Sequence, residues 1–154
     1  MIFGYNSRLD TLQAVVALNA LGKIKNITKK RIENSKYLDS KLTDIKNVKC
    51  VKRDKKLKEV FHLYKVNFKT KKIRDKVIKT LIKNSVDAKI HYPTSMHLQP
   101  AAKKYGYVKG DFPIAEKLSQ TSISLPVHEF ITKKDLRFMV NEIKKCVKWK
   151  KINI

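Results

Sequence analysis

The segment from Glu59 to Phe68, EVFHLYKVNF, constrains the fold more than any other stretch. It is dense in β-branched and aromatic residues and carries apolar side chains on both faces, which reads as a strand inside a sheet. The apolar spacing around it is helical. Asp10 followed by Gln13 predicts a capping box, and Leu12, Val15, Val16 and Ala20 then share a face. Gly22 is expected to interrupt this helix. Ile24, Ile27, Leu38, Leu42 and Ile45 continue at steps of mostly three or four, as a long exposed helix does.

Val48 to Val51 reads as a short strand joined antiparallel to the main one. Thr70 is placed to cap a helix with the stripe Ile73, Val77, Ile78 and Leu81. Val86 to Tyr92 alternates as a strand, with His91 on one face and Tyr92 on the other, and Pro93 ends it. Met96 to Gly110 reads mostly as loop with a short helix. Asp111-Phe112-Pro113 opens a further helix, Ile123 to Pro126 is extended, and Thr132 with Asp135 caps a final helix bearing Leu136, Val140, Ile143 and Val147. The expected class is α+β: a small antiparallel sheet with helices packed on one side, preceded by a long helical segment.

Composition removes several alternatives. The 154 residues suit one domain on a prior of roughly 150 residues each. A hydrophobic content of 42% is too high for a disordered basic tail. No run approaches the roughly 18 to 20 apolar residues of a membrane span, and Met1 to Asn6 lacks the layout of a secretory signal. A soluble, cytoplasmic protein is therefore expected. Two cysteines, Cys50 and Cys146, make neither a disulfide scaffold nor a zinc site and read as apolar fillers. Four glycines exclude a glycine-rich phosphate loop.

The formal charge of +23 raises the question of nucleic acid. Only five of the 36 basic residues are arginines, the side chain that forks onto phosphates and base edges, and the lysines are spread along the whole chain. The charge reads first as a solvated surface, with a polyanion-binding module as the alternative.

Three clusters carry candidate chemistry. In Asn6-Ser7-Arg8, set before a helix start, a guanidinium beside an amide is suited to gripping an oxyanion, although turn and cap bonds explain the same spacing. His91-Tyr92-Pro93, with His97 and Gln99 following, can bind phosphate or sugar hydroxyls or simply finish a strand. No third metal-type ligand lies near, so no metal is expected. Ser122 to His128 brings serines near a histidine, but no acid is placed to orient the ring and no glycines flank a nucleophile, so a buried strand and turn is the better reading. His62, within the main strand, reads as structural.

Taken in order, these segments resemble the C-terminal part of the DegT/DnrJ/EryC1/StrS family of pyridoxal-phosphate (PLP) dependent nucleotide-sugar aminotransferases. The matching stretches are Gly4-Tyr5-Asn6-Ser7-Arg8-Leu9-Asp10 with Leu12-Gln13-Ala14; Ile90-His91-Tyr92-Pro93; His97-Leu98-Gln99-Pro100-Ala101; Gly110-Asp111-Phe112-Pro113-Ile114-Ala115-Glu116; and Ser124-Leu125-Pro126. The resemblance implies the aspartate-aminotransferase (fold type I) architecture, with residues 1–46 as the end of the large domain and the interdomain helix, and 47–154 as the small C-terminal domain. It implies that Asn6 reaches the cofactor phosphate across a dimer and that Arg8 meets the nucleotide-sugar diphosphate. His91 and Tyr92 are then expected to line the substrate mouth, with Gln99 and Ser124 structural. None of these residues is expected to be catalytic. PLP is the implied cofactor, held only with a large domain whose Schiff-base lysine is not among these residues. Glutamate is the implied amino donor. The expected partners are a second copy or a separately encoded N-terminal half, and the chain alone is expected to be inactive. A non-functional remnant is the remaining alternative.

Overall fold

A computed structural model describes residues 9–54 and 56–147. Helix α1 spans Thr11–Leu42, 32 residues, and is about 48 Å long at 1.5 Å per residue. The expected capping box is present: the Gln13 amide donates to the Asp10 carboxylate at 2.8 Å, and the Asp10 amide donates to the Gln13 side chain. Gly22 does not interrupt this helix. The helix runs through it without a left-handed residue, because one glycine costs only about 1 kcal/mol relative to alanine amid good helix formers.

Strands β1 (Val48–Cys50), β2 (Tyr64–Phe68) and β3 (Ser122–Leu125) form one sheet in that order, antiparallel throughout. Register pairs Val48 with Phe68, Tyr64 with Leu125 and Val66 with Ile123. One face, carrying Tyr64, Val66, Phe68, Ile123 and Leu125, is buried. The other carries Lys65, Asn67, Ser122 and Ser124, with the Ser122 hydroxyl donating to the Asn67 side-chain oxygen at 2.6 Å.

The main strand is half as long as its sequence suggests. Residues 59–63 leave the sheet because Phe61 takes a positive φ of 51° and lays its ring 4.9 Å from the Arg53 guanidinium. Arg53 also pairs with Asp39 at 3.3 Å and Glu59 at 3.1 Å. The Tyr64 hydroxyl donates to Asp39 at 2.7 Å. This cluster ties the β1–β2 connection to α1. The strand expected over Val86 to Tyr92 reduces to one bridge, in which Lys89 and Ser124 exchange hydrogen bonds of 3.0 and 2.8 Å.

Helix α2 (Lys71–Lys83) is capped by Thr70, whose hydroxyl accepts from the Ile73 amide. It packs against β2 and β3. Two short 3-10 turns, Met96–Leu98 and Pro100–Tyr105, precede α3 (Pro113–Thr121), which runs straight into β3. Asp111 holds the preceding loop by accepting from the Val108 amide, Phe112 is the cap residue and Pro113 stands in the first turn, as expected. Arg74, buried on α2, donates toward the Ser119 and Ser122 carbonyls at the end of α3, where a cation meets the negative end of the helix. Helix α4 (Lys133–Val147) carries the second expected box, the Thr132 amide donating to Asp135 at 2.9 Å and the Asp135 amide to the Thr132 hydroxyl. It packs on α2 and on α1. The last turns of α1, through Leu38 and Leu42, share one core with the sheet, Val77 and Leu81 of α2, and Leu136 and Ile143 of α4.

Candidate functional site

Two cavities meet at the polar face of the sheet. The first, of about 320 Å³, lies between Leu63, Ile90, Tyr92, Met96, Leu118 and Ile123, with Ser95, Ser119, Ser122 and Ser124 supplying hydroxyls. The second, of about 300 Å³, is lined by Arg31, His62, Asp87, Lys89, His91 and His128. Leu63, His91 and Ser124 belong to both, so an apolar compartment adjoins a polar one through a shared wall.

The expected site residues divide. Asn6 and Arg8 lie outside the described residues. His91 is exposed in the wall between the two cavities, and Tyr92, 66% exposed, stands at the rim of the first. His97 belongs to neither: its ring sits 4.8 Å from Phe112 and contacts Glu116 at 3.1 Å. Glu116 also accepts from the Gly110 amide at 2.7 Å. That backbone bond, and then His97, hold its carboxyl below the usual carboxylate range. Residues of two matched segments, His97 and the Gly110–Glu116 stretch, are thus clasped together beside the first cavity. Gln99 is half-buried and spends its amide on the Met96 sulfur.

His62 is not the structural strand residue its position suggested, since the turn at Phe61 places it, exposed, in the second cavity. Arg31 and Lys89 were not legible as site residues, and His128, weighed with the serines before it, was set aside as part of a strand and turn. They come from separate segments and share no spacing signal.

PLP chemistry requires a lysine in a desolvated pocket and an acid facing the pyridine nitrogen. Among the described residues no lysine is buried. Lys65 and Lys89 reach the cavity walls but are exposed, and Lys89 is paired with Asp87 at 3.0 Å. No carboxylate lines the first cavity. The described residues by themselves therefore do not fit the cofactor.

Residues 1–144 match the model of the DegT/DnrJ/EryC1/StrS aminotransferase family. The chain belongs to this family. Its members are PLP-dependent, and solved structures with this fold include PLP and PMP forms of a Streptococcus pneumoniae sugar aminotransferase. A Methanocaldococcus jannaschii protein of uncharacterised function is 32% identical over 148 residues, covering 94% of this chain and 38% of its own length. The dTDP-3-amino-3,6-dideoxy-alpha-D-galactopyranose transaminase of Aneurinibacillus thermoaerophilus is 29% identical over 144 residues, covering 91% and 37%. The fold matches that of S. venezuelae DesV with a TM-score of 0.86 at 24% identity, over 96% of this chain and 39% of that one. The family chain described here thus spans less than two fifths of the length of these relatives. Among the described residues, no helix is long and apolar enough to cross a membrane.

Proposed function

We propose that these residues form the C-terminal part of a fold type I nucleotide-sugar aminotransferase, with 1–46 leading out of the large domain and 47–154 as the small domain. The observation that carries this reading is the family match over residues 1–144 in a chain that spans so little of its relatives' length. The first half of α1 agrees with it, exposing Leu12, Val15, Val16, Leu18, Leu21 and Ile24 all round its circumference, apolar surface suited to burial against the rest of the enzyme.

On this reading Asn6 meets the cofactor phosphate across the subunit boundary and Arg8 grips the sugar-nucleotide diphosphate. His91 and Tyr92 line the substrate mouth. PLP, bound with the lysine-bearing domain, supplies the electron sink, and glutamate supplies the amine. The residues of this chain bind and close; proton transfer belongs to the lysine elsewhere in the enzyme. The assembly is a homodimer of the joined parts or a complex with a separately encoded half.

Two measurements test it. The chain alone, treated with PLP and borohydride and then mapped by peptide mass spectrometry, is expected to carry scattered, substoichiometric label; one lysine labelled to completion overturns the reading. Co-expression with the lysine-bearing domain of a relative is expected to restore amino transfer to a dTDP-keto-sugar. That activity should collapse in Arg8→Ala and Asn6→Ala, and full activity in both variants would remove these residues from the site.

A further inference from the structure

We propose that the outer face of the α2–α4 layer is a docking surface for a nucleic-acid duplex, held by its phosphate backbone without reading of the bases. The lysines are dispersed along the sequence, but the fold lines some of them up. Arg74, Val77 and Leu81 mark the buried side of α2. Lys72, Lys76, Lys79 and Lys83, at steps of four, three and four, form a row on the opposite side, and all of them are exposed. The row is about 16 Å long at 1.5 Å per residue. On α4, which packs alongside, Lys134, Arg137 and Lys145 are exposed on the side away from the buried Leu136, Met139 and Ile143.

The acids of these two helices do not cancel the row. They are Asp75, Asp135 and Glu142: Arg74 pairs with Asp75 at 2.6 Å, the Thr132 hydroxyl donates to Asp135 at 2.6 Å, and Lys145 pairs with Glu142 at 2.6 Å. Among the described residues Lys72, Lys79, Lys83 and Arg137 enter no ion pair. Lys76 is anchored to the layer, donating to the Cys146 carbonyl at 3.5 Å. None of the row lines either cavity of the candidate site, so this surface stands apart from the aminotransferase reading. A duplex carries one negative charge per about 1.7 Å of its axis, so a row of this length faces about ten phosphates. Ammonium groups set against them displace counterions and give affinity without sequence preference. An anionic bilayer suits the face less well. Helices that lie on a bilayer sink their apolar side into it, and here the apolar sides of α2 and α4 form the core.

The test is fluorescence anisotropy of a labelled DNA duplex of about 20 base pairs, titrated with the full chain between about 50 and 200 mM salt. Saturable binding is expected, with a slope of log affinity against log salt of about −3.6 or steeper for the lysines of the row. Replacing Lys72, Lys79 and Lys83 together by Gln should flatten that slope by about 2.7 and weaken binding about tenfold or more. The control replaces Lys23, Lys25 and Lys29, exposed on α1, by Gln. It removes the same net charge and should leave the slope unchanged. If the first triple variant is poorly folded, Lys79→Gln alone should flatten the slope by about 0.9. The proposal is overturned if the duplex is not bound at low salt, or if the two triple variants flatten the slope equally, as a general charge effect would. It is overturned as well if vesicles of phosphatidylcholine with phosphatidylserine are bound and the duplex is not. Failure of the co-expressed enzyme would count against the aminotransferase reading and leave this titration unaffected.

Discussion

Helix α4 and the amino-terminal part of α1 are built from the same materials and end in opposite situations. Each opens with a reciprocal side-chain box, Thr132 with Asp135 in one and Asp10 with Gln13 in the other. Each repeats apolar residues at helical spacing. Yet α4 buries Leu136, Met139, Val140, Ile143 and Cys146, whereas residues 15–26 of α1 are exposed at every position. Capping and periodicity specify a helix; the free energy it shares with the fold comes from what its apolar face meets. The first third of α1 is a helix waiting for a surface, and its last turns, at Leu38 and Leu42, have found one.

The widest split between these regions should appear on truncating one apolar side chain in each. Ile143 is fully buried, so Ile143→Ala should lower unfolding stability by about 2–5 kcal/mol, from lost transfer energy and the cavity left behind. Leu18 is 68% exposed, and Leu18→Ala should stay within about 0.5 kcal/mol in the isolated chain. Urea unfolding followed by circular dichroism measures both, and comparable losses would show that this end of α1 is already packed.

Tyr64 carries the comparison to the place where α1 does engage. Its buried hydroxyl donates to Asp39, so Tyr64→Phe leaves that carboxylate short of a donor and should cost about 1–3 kcal/mol. Burial, first of all, pushes the phenol well above its ordinary value. The native state then keeps a proton that the unfolded chain loses near pH 10. The associated stability is complete below that pH and is lost as pH rises further. Unfolding midpoints of the parent should therefore fall above about pH 10, and Tyr64→Phe should flatten that limb.

Much of this was legible in the sequence, for reasons that particular residues make plain. Both capping boxes, the Thr70 cap and the antiparallel pairing of β1 with β2 rest on contacts a few residues apart or on strong periodicity, and all are present. Glu59 to Leu63 was misread as strand because its composition is strand-like, while a tertiary contact, Phe61 on Arg53, decides its backbone. Gly22 was misread as a break because its cost is small beside the propensity of its neighbours. At the site, His91 and Tyr92 were visible as a motif. Arg31 and Lys89 were not, and His128 was visible only beside its serines, because only the fold brings α1, the bridge segment and the turn after β3 to one cavity.

The two boxes give a smaller contrast. Thr132→Ala should cost about 1 kcal/mol, because α4 cannot fray without loosening the core. Asp10→Ala removes the equivalent bonds from a helix end that touches little, and should leave the global midpoint unchanged. The Thr132 hydroxyl, with its amide, holds Asp135 below the usual carboxylate range. That contribution is in place above about pH 4 and disappears as pH falls through the lowered value. Acid unfolding should therefore begin at higher pH in Asp135→Asn than in the parent only if the cap itself is weakened; its low-pH dependence should be shallower.

The smallest effect is the most discriminating. Gly22 lies mid-helix, and a Cβ built there meets nothing within 4 Å. Gly22→Ala should favour the helix locally by up to about 1 kcal/mol. If residues 15–26 are uncoupled from the core, as their exposure implies, this gain appears as slower amide exchange around position 22 and leaves the global unfolding midpoint within about 0.5 kcal/mol of the parent. A full gain in global stability would mean that all of α1 unfolds with the sheet, and the contrast between its two ends would fail.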